Sequence, residues 1–185
     1  MQREESVINM IQYRALSADE IRRELFRGSR RRQVVTKCRR REGGAWVVKD
    51  TPFVDDWSEA DYQTLVSCLR NTVSTGGVVY AALSDGSLKG FASVEPALFG
   101  GQQGYLDLTS IHVSEELRGR GVGRVLFRLA MAWARGHGAK KLYISAHSAV
   151  ETQAFYAKMG CVEAEAYHQP HVDAEPFDCQ LECAL

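Results

Sequence analysis

Between Val113 and Arg124 the chain reads Val-Ser-Glu-Glu-Leu-Arg-Gly-Arg-Gly-Val-Gly-Arg, and this junction constrains the fold more than any other segment. Upstream, Tyr105 to Val113 has the apolar and β-branched content of a strand. Downstream, Val122, Leu126, Leu129, Ala130 and Trp133 form one apolar stripe and predict a helix from about Gly121 to Gly136. A strand entering a helix through Gly119, Gly121 and Gly123 leaves the first helical amides unshielded by side chains. With the positive helix end and Arg118, Arg120 and Arg124 around them, those amides suit a phosphate or pyrophosphate. A plain turn needs one or two glycines, not three interleaved with arginines.

Two common phosphate-binding signatures fail. A dinucleotide fingerprint needs glycine at the first, third and sixth places, and counted from Gly119 or Gly121 the sixth is Arg124 or Leu126. A nucleotide P-loop needs Gly-Lys-Ser/Thr, which the sequence lacks. The pattern present is Arg-x-x-Gly-x-Gly, on Arg118, Gly121 and Gly123.

The rest of the chain reads as one α/β domain over 1–185, with residues 1–8 a loose extension. A length of 185 residues fits one domain and buries a core without disulfide or metal staples. Asn9 to Arg14 predicts a short strand, and Ala18 to Arg41 one or two basic helices broken near Gly28-Ser29. Gly43-Gly44 reads as a turn, Ala45 to Val48 as a short apolar run and Asp50 to Trp57 as a loop. Ser58 caps a helix reaching about Asn71, with Glu59 and Asp61 in its first turn. Val78 to Leu83 and Leu88 to Val94 form a hairpin through Ser84-Asp85-Gly86-Ser87. A Gly-rich loop from Glu95 to Gly104 precedes the strand at Tyr105. Then come a strand (Lys141 to Ala146), a helix (Val150 to Met159), a strand (Cys161 to Ala166) and a last strand (Phe177 to Leu185). The fold class is mixed α/β, with hairpins before a strand–helix–strand unit.

Charge narrows the partners. There are 23 Lys+Arg against 23 Asp+Glu, so the chain lacks the basic excess of a general nucleic-acid binder. The distribution is uneven: Arg22 to Arg41 holds ten basic residues and one acid, and after Lys158 there are six acids and no Lys or Arg. The basic run reads as the solvated face of a helix, with phosphate or nucleic-acid contact as its rival. The acidic end suits attraction of a cationic amine. No stretch reaches 18 apolar residues and the first residues are polar, so neither a membrane span nor a signal peptide is expected. The odd count of 5 cysteines reads as reduced thiols in a cytoplasmic protein, Cys179 and Cys183 sharing a buried strand face rather than a metal.

The motifs resemble those of a known family. Leu108-Thr109-Ser110-Ile111-His112-Val113, then Arg118 to Arg124 and the amphipathic helix, resembles the acyl-CoA pyrophosphate-binding motif of the GNAT superfamily of N-acetyltransferases. Downstream, Glu151-Thr152-Gln153-Ala154-Phe155-Tyr156-Ala157-Lys158-Met159-Gly160-Cys161 resembles its second motif, a helix carrying Phe-Tyr and ending in Gly. The resemblance covers Val78 to Ala166, about half the chain, with the motifs in the family's order.

The resemblance implies a largely antiparallel central sheet flanked by helices, acetyl-CoA as co-substrate, an amine as acceptor and no metal. It also leaves a homodimer open. The backbone of Ile111, His112 and Val113 would pair with the pantetheine arm and polarise the thioester carbonyl. The pyrophosphate would sit on Gly119, Arg120, Gly121, Val122, Gly123 and Arg124, beside Arg118. Tyr156 would protonate the departing thiolate, a role suited to a phenol that is neutral at pH 7. Many members carry Asn seven residues before that tyrosine; here the position is Ala149, and Ser148 is the nearest substitute.

A protonated amine cannot attack, so a base is needed; three side chains are candidates, beside a water chain or a residue from the variable loops. Plain alternation from Tyr105 to Val113 puts Asp107 on one face with Thr109, Ile111 and Val113, and His112 on the other, unless a bulge resets the register. Glu95, at the end of the neighbouring hairpin strand, is the third. The loop Tyr167 to Pro176, with His168, His171, Asp173 and Glu175, could grip a substrate, and Trp46, Phe53 and Trp57 could wall its pocket. The expected reaction is direct acetyl transfer to a small cationic amine, the alternatives being a peptide N-terminus or lysine, or an acyl-CoA sensor without turnover.

Overall fold

The computed structural model describes residues 10–185. Along the chain run β1 (Gln12–Ala15), β2 (Arg32–Glu42), β3 (Ala45–Asp56), α1 (Glu59–Ser74), β4 (Val78–Ser84), β5 (Ser87–Val94) and β6 (Tyr105–Val113). There follow α2 (Val122–Gly136), β7 (Lys141–Ala146), α3 (Val150–Lys158), β8 (Val162–Glu163), α4 (Gln169–Ala174) and β9 (Cys179–Ala184). Seven strands form one sheet in the order β1-β4-β5-β6-β7-β9-β8, and β2 and β3 form a separate hairpin. Within the large sheet only β6 and β7 run parallel, so the expected mixed, largely antiparallel architecture holds.

Each face of the sheet has its own core. On one side Leu106, Leu108, Leu142 and Ile144 pack against Val122, Leu126, Phe127 and Ala130 of α2. Each large side chain buried there contributes roughly 1.5–3 kcal/mol. On the other side Val79, Ala81, Leu88 and Phe91 pack against Tyr62 and Leu69 of α1 and against Phe26 of a 3₁₀ turn, Arg23–Gly28. Ser58 starts α1 with a reciprocal cap: its hydroxyl accepts from the Asp61 amide while the Asp61 carboxylate accepts from the Ser58 amide.

The segment from Ala18 to Arg41 is where the helical expectation fails. Only the short 3₁₀ turn is helical, and the basic run continues as β2. The expected loop Asp50 to Trp57 is the second half of β3. Pairing with a distant partner overrides the weak helical periodicity here: Arg39, Arg40 and Arg41 face Val48, Val47 and Trp46 across the hairpin. Gly43 and Gly44, at φ 55° and 83°, make the two-residue turn between Glu42 and Ala45, a conformation that flanking strands favour. The register shifts between Val35 and Lys37, opposite the stretch with Pro52, which has no amide to donate.

Smaller departures lie near the C-terminus. The strand expected over Cys161 to Ala166 shrinks to Val162–Glu163, and the Tyr167–Pro176 loop contains α4. β1 covers the second half of the expected first strand; Asn9 and the expected 1–8 extension lie outside the described residues. Cys179 and Cys183 are buried on β9.

The feature that makes a site is in β6. The ladder pairs Ser93 with Ser110 but Val94 with Leu108, so Thr109 is an extra residue, a bulge whose hydroxyl lies 2.8 Å from that of Ser93. Alternation therefore inverts: Leu106 and Leu108 face α2, and beyond the bulge so do Ile111 and Val113. Tyr105 and Asp107 share the opposite face with His112, which corrects the face assignment from plain alternation. On the other edge β6 pairs with β7 only at Tyr105, Leu106 and Asp107. From Leu108 to Val113 that edge has no strand partner among the described residues, and β6 and β7 enclose a wedge.

Gly90 allows β5 to lie against the open end of this wedge. A Cβ there would sit 2.9 Å from the His112 carbonyl oxygen and 3.2 Å from Leu126 Cδ1. Gly90→Ala should lower the unfolding free energy by about 1–3 kcal/mol through overpacking, read as a lower urea midpoint at unchanged slope.

Candidate active site

At the wide end of the wedge the chain leaves β6 through Ser114 and a 3₁₀ turn, Glu115–Leu117, and enters α2. Gly119 and Gly121 stand at φ 76° and 85°, where L side chains are strained, and a Cβ on either would meet nothing within 4 Å. The outer face of the loop is thus open. The side chains of Arg120 and Arg124 are exposed and make no hydrogen bond or ion pair among the described residues, while the Arg120 amide donates to the Leu117 carbonyl at 3.4 Å. Gly123 serves packing instead, because a Cβ there would lie 3.2 Å from Phe155 Cε2, so glycine lets α3 close on α2. Val122 is buried and contributes backbone only. Arg118 folds back, its Nε donating to the Val113 carbonyl at 3.1 Å. The loop, the two arginine side chains and the helix start leave donors and positive charge open to an anion such as a phosphate.

Below this loop lies a crevice of only about 10 Å³, lined by Trp57, Phe91, His112, Arg31 and Ser114, among others. His112 is wedged between Trp57 and Phe91, with ring centroids at 4.7 and 5.3 Å. Burial, helped by the positive charges of Arg31 and Arg118, pulls its pKa down to about 3. A ring held neutral so strongly is a poor base, which argues against His112 in that role while leaving its backbone on the open edge. Arg31 bonds Asp55 at 2.5 Å, and its Nε and Nη1 are buried without partners.

Asp107 is the last β6 residue paired with β7, opposite Tyr143, and marks the narrow end of the wedge. It is 9% exposed. One carboxylate oxygen meets His171 Nε2 of α4 at 2.6 Å; the other is buried with no partner. An unsatisfied acceptor of this kind costs roughly 1–3 kcal/mol. His171 stacks on Tyr143 at 5.8 Å and 15°, and the hydrogen bond that its Nε2 donates to the Asp107 carboxylate raises its pKa above the usual value. His168 stands 4.9 Å from His171 and 4.6 Å from Phe99, its own Nδ1 buried and unpartnered. The amide of His168 donates to the Tyr143 hydroxyl at 2.8 Å. Glu95 is near in backbone only: its amide donates to the Asp107 carbonyl at 2.9 Å, while its carboxylate accepts from Thr72 Oγ1 of α1 at 2.5 Å.

Tyr156 lies on α3, on the α2 side of the sheet, against Phe127 and Phe155. Its hydroxyl has no hydrogen bond among the described residues, and burial pushes its pKa well above 10, so the phenol stays protonated. Ser148 stands differently from the expected pantetheine contact: Arg40 Nη1 donates to its hydroxyl at 2.6 Å, and the Arg39 amide to its carbonyl at 2.8 Å. Cys38 bridges to Ala149, so the β2–β3 hairpin lies over this turn.

Of the three aromatic residues expected around an acceptor, Trp57 lines the cleft. Trp46 donates to Glu163 at 3.1 Å and Phe53 packs on His147, both on the hairpin. The acidic end is partly neutralised: Glu163 is bridged to Arg41, and Glu165 and Glu182 to Lys141. The sequence points to the His168–His171 loop but not to the meeting of His171 with Asp107. The signal, an acid and a histidine 64 positions apart, has no local pattern. Among the described residues no group of three or more His, Cys, Asp and Glu is placed to hold a metal ion, and no helix is long and apolar enough to cross a membrane.

The sequence matches the model of the acetyltransferase (GNAT) family over residues 37–161. The chain belongs to the GNAT acetyltransferase family. Its members are acetyl-CoA-dependent enzymes, and this chain is accordingly an acyltransferase. A sequence comparison with curated proteins returns no match. Among solved structures, a nourseothricin acetyltransferase superposes with TM-score 0.68 at 21% identity, over 93% of this chain and 95% of that one. A proposed streptothricin acetyltransferase from Bacillus anthracis, in complex with acetyl coenzyme A, gives TM-score 0.71 at 16% identity, over 95% and 99%. PaiA N-acetyltransferase from Thermoplasma acidophilum, in complex with coenzyme A, gives 0.59 at 13%, over 95% and 99%. At these identities the structural matches establish the fold of this GNAT enzyme.

The depressed pKa of His112 makes stability pH-dependent. The unfolded chain binds a proton near pH 6.5 and the folded chain only near 3, so acidification between these values favours unfolding. This contribution is fully present above about pH 6.5 and is lost as pH falls toward 3. A histidine-selective NMR titration should find one ring, absent in His112→Gln, that stays neutral down to about pH 4, and the variant should show a shallower acid destabilisation.

Proposed function

We propose that this enzyme transfers the acetyl group of acetyl-CoA to a primary amine by direct attack, with a small cationic amine as acceptor. The observation that carries the reading is the unpaired edge of β6 from Leu108 to Val113, ending in the phosphate-sized loop Arg118–Arg124. In this reading the amides of Gly119 to Arg124 and the side chains of Arg120 and Arg124 hold the diphosphate. The backbone of Ile111, His112 and Val113 lies along the pantetheine arm as an added strand and orients the thioester carbonyl. Acetyl-CoA supplies the activated acyl group. No covalent enzyme intermediate is required, and Cys38, Cys161, Cys179 and Cys183 are buried.

Tyr156 supplies the proton for the departing thiolate, a role that its persistent protonation and unbonded hydroxyl support. On the acceptor side Asp107 is better placed than Glu95, whose carboxylate is engaged by Thr72. Ser148 reaches the coenzyme only if Arg40 releases it, so it is the weakest of the expected contacts. A small cationic acceptor is supported by the buried Asp107 at the narrow end of the wedge, by the half-buried Asp178 beside Ser145 of β7, and by similarity to proteins named for nourseothricin and streptothricin. A peptide N-terminus or lysine is the competing acceptor.

Calorimetry with acetyl-CoA, followed by thiol release against a panel of amines and peptides, tests the reading. Binding with thiol release supports transfer and names the acceptor class; binding without release favours a sensor; no binding overturns it. Tyr156→Phe should lower kcat about 10²-fold while leaving the acetyl-CoA Kd unchanged. Unchanged turnover would remove Tyr156 from the chemistry.

A further inference from the structure

We propose that His171, oriented by Asp107, is the base that takes the proton from the acceptor ammonium, with Phe99, Tyr143 and His168 walling the pocket in which the amine sits. This deepens the acetyl-transfer reading and rests on it.

If the diphosphate is fixed beyond Val113, an arm laid back along β6 runs toward Leu108 and brings the acyl end to the narrow end of the wedge. Asp107 and its partner Tyr143 close that end. His171 is clamped there by Asp107 on one ring nitrogen and stacked on Tyr143, so its orientation is fixed from two directions. Its other nitrogen, Nδ1, has no hydrogen bond among the described residues and retains solvent contact. The ring is therefore free to accept a proton on the side away from Asp107.

The cluster also leaves atoms unsatisfied. Asp107 keeps a buried carboxylate oxygen without a donor, and His168 keeps a buried nitrogen without a partner. A purely structural ion pair would use these atoms. Both are complementary to an ammonium, which has N–H groups and no lone pair. The groups facing His171 are Asp107 on β6, Tyr143 on β7, His168 at the start of α4 and Asp178 before β9. The two acids favour the imidazolium that proton uptake creates, as a carboxylate does in an Asp–His pair of a hydrolase. Glu95 and His112 are excluded by their partners, Thr72 for the first and the Trp57–Phe91 sandwich for the second.

In the chemical step the ammonium gives one proton to His171 Nδ1, and the freed lone pair forms a nitrogen–carbon bond to the thioester carbonyl. The carbon–sulfur bond breaks with its electron pair on sulfur, which takes a proton from Tyr156. The second proton on nitrogen restores Tyr156 through solvent, and His171 releases its own to water. The net products are the acetamide, the free thiol and one proton.

Wild type, His171→Gln, His171→Ala and Asp107→Asn are compared in thiol release from acetyl-CoA with nourseothricin, spermidine and a lysine-containing peptide, across about pH 5.5 to 9.5. All four should bind acetyl-CoA equally in calorimetry. His171→Gln should lose about 10²-fold or more in kcat/KM together with the acidic limb of the profile, and imidazole should restore part of the rate to His171→Ala. In Asp107→Asn the acidic limb should move to lower pH with a smaller loss of kcat, the mark of a positioning residue. A His171→Gln enzyme that binds acetyl-CoA and keeps the wild-type rate and limb overturns the assignment alone. Wild type that binds no acetyl-CoA, or binds it and acetylates none of the amines, overturns the transfer reading and this assignment with it.

Discussion

The single extra residue at Thr109 organises the molecule. Because β6 gains a residue there relative to β5, its side chains change faces and the strand bends away from β7. A strand whose edge carries unpaired amides and carbonyls is usually a liability. Here that edge is internal to the sheet, hidden between two strands and ending at a helix start. This separation sets the geometry of the candidate site: the loop with two positive-φ glycines at one end, the Asp107 carboxylate at the other and a strand-shaped slot between them.

The same separation sorts the ionisable groups. Tyr156 sits on the α2 side, where burial holds it protonated, whereas Asp107 and His171 sit on the other side, where a hydrogen bond raises the histidine. Two groups with opposite protonation preferences thus lie on opposite sides of the sheet. The low pKa of His112 belongs to a different function, packing under Trp57 at the wide end. A titratable side chain on the central strand is not by that fact a participant in the reaction.

What is legible in the sequence is local. The strand-to-helix junction, the Ser58 cap, the hairpin through Asp85-Gly86 and the Phe155-Tyr156 helix each declare themselves within a dozen residues. The β2–β3 hairpin does not, because an arginine-rich run carries little periodicity and its strand character depends on partners beyond Gly43-Gly44. That glycine pair is the available signal, and alone it reads as a turn without the strands it joins. The bulge can be named only as a condition, since nothing in Leu108-Thr109-Ser110 says which residue is extra. The Asp107–His171 contact joins β6 to α4 across the sheet, and no spacing rule reaches that far.

The outer margins of the sheet complement its open centre. Seven strands side by side would ordinarily expose two long rows of backbone donors and acceptors to other chains. Here the outermost strands are β1, with 4 residues, and β8, with 2. Arg14 and Glu20 place charge beside the first, and Glu163 and Arg41 beside the second. A neighbouring molecule seeking to extend the sheet would find little ladder to copy and a charged pair in the way. The long strand edge is instead the one at the sheet's centre, between β6 and β7, so the property that would make a strand sticky is confined to the interior of the sheet.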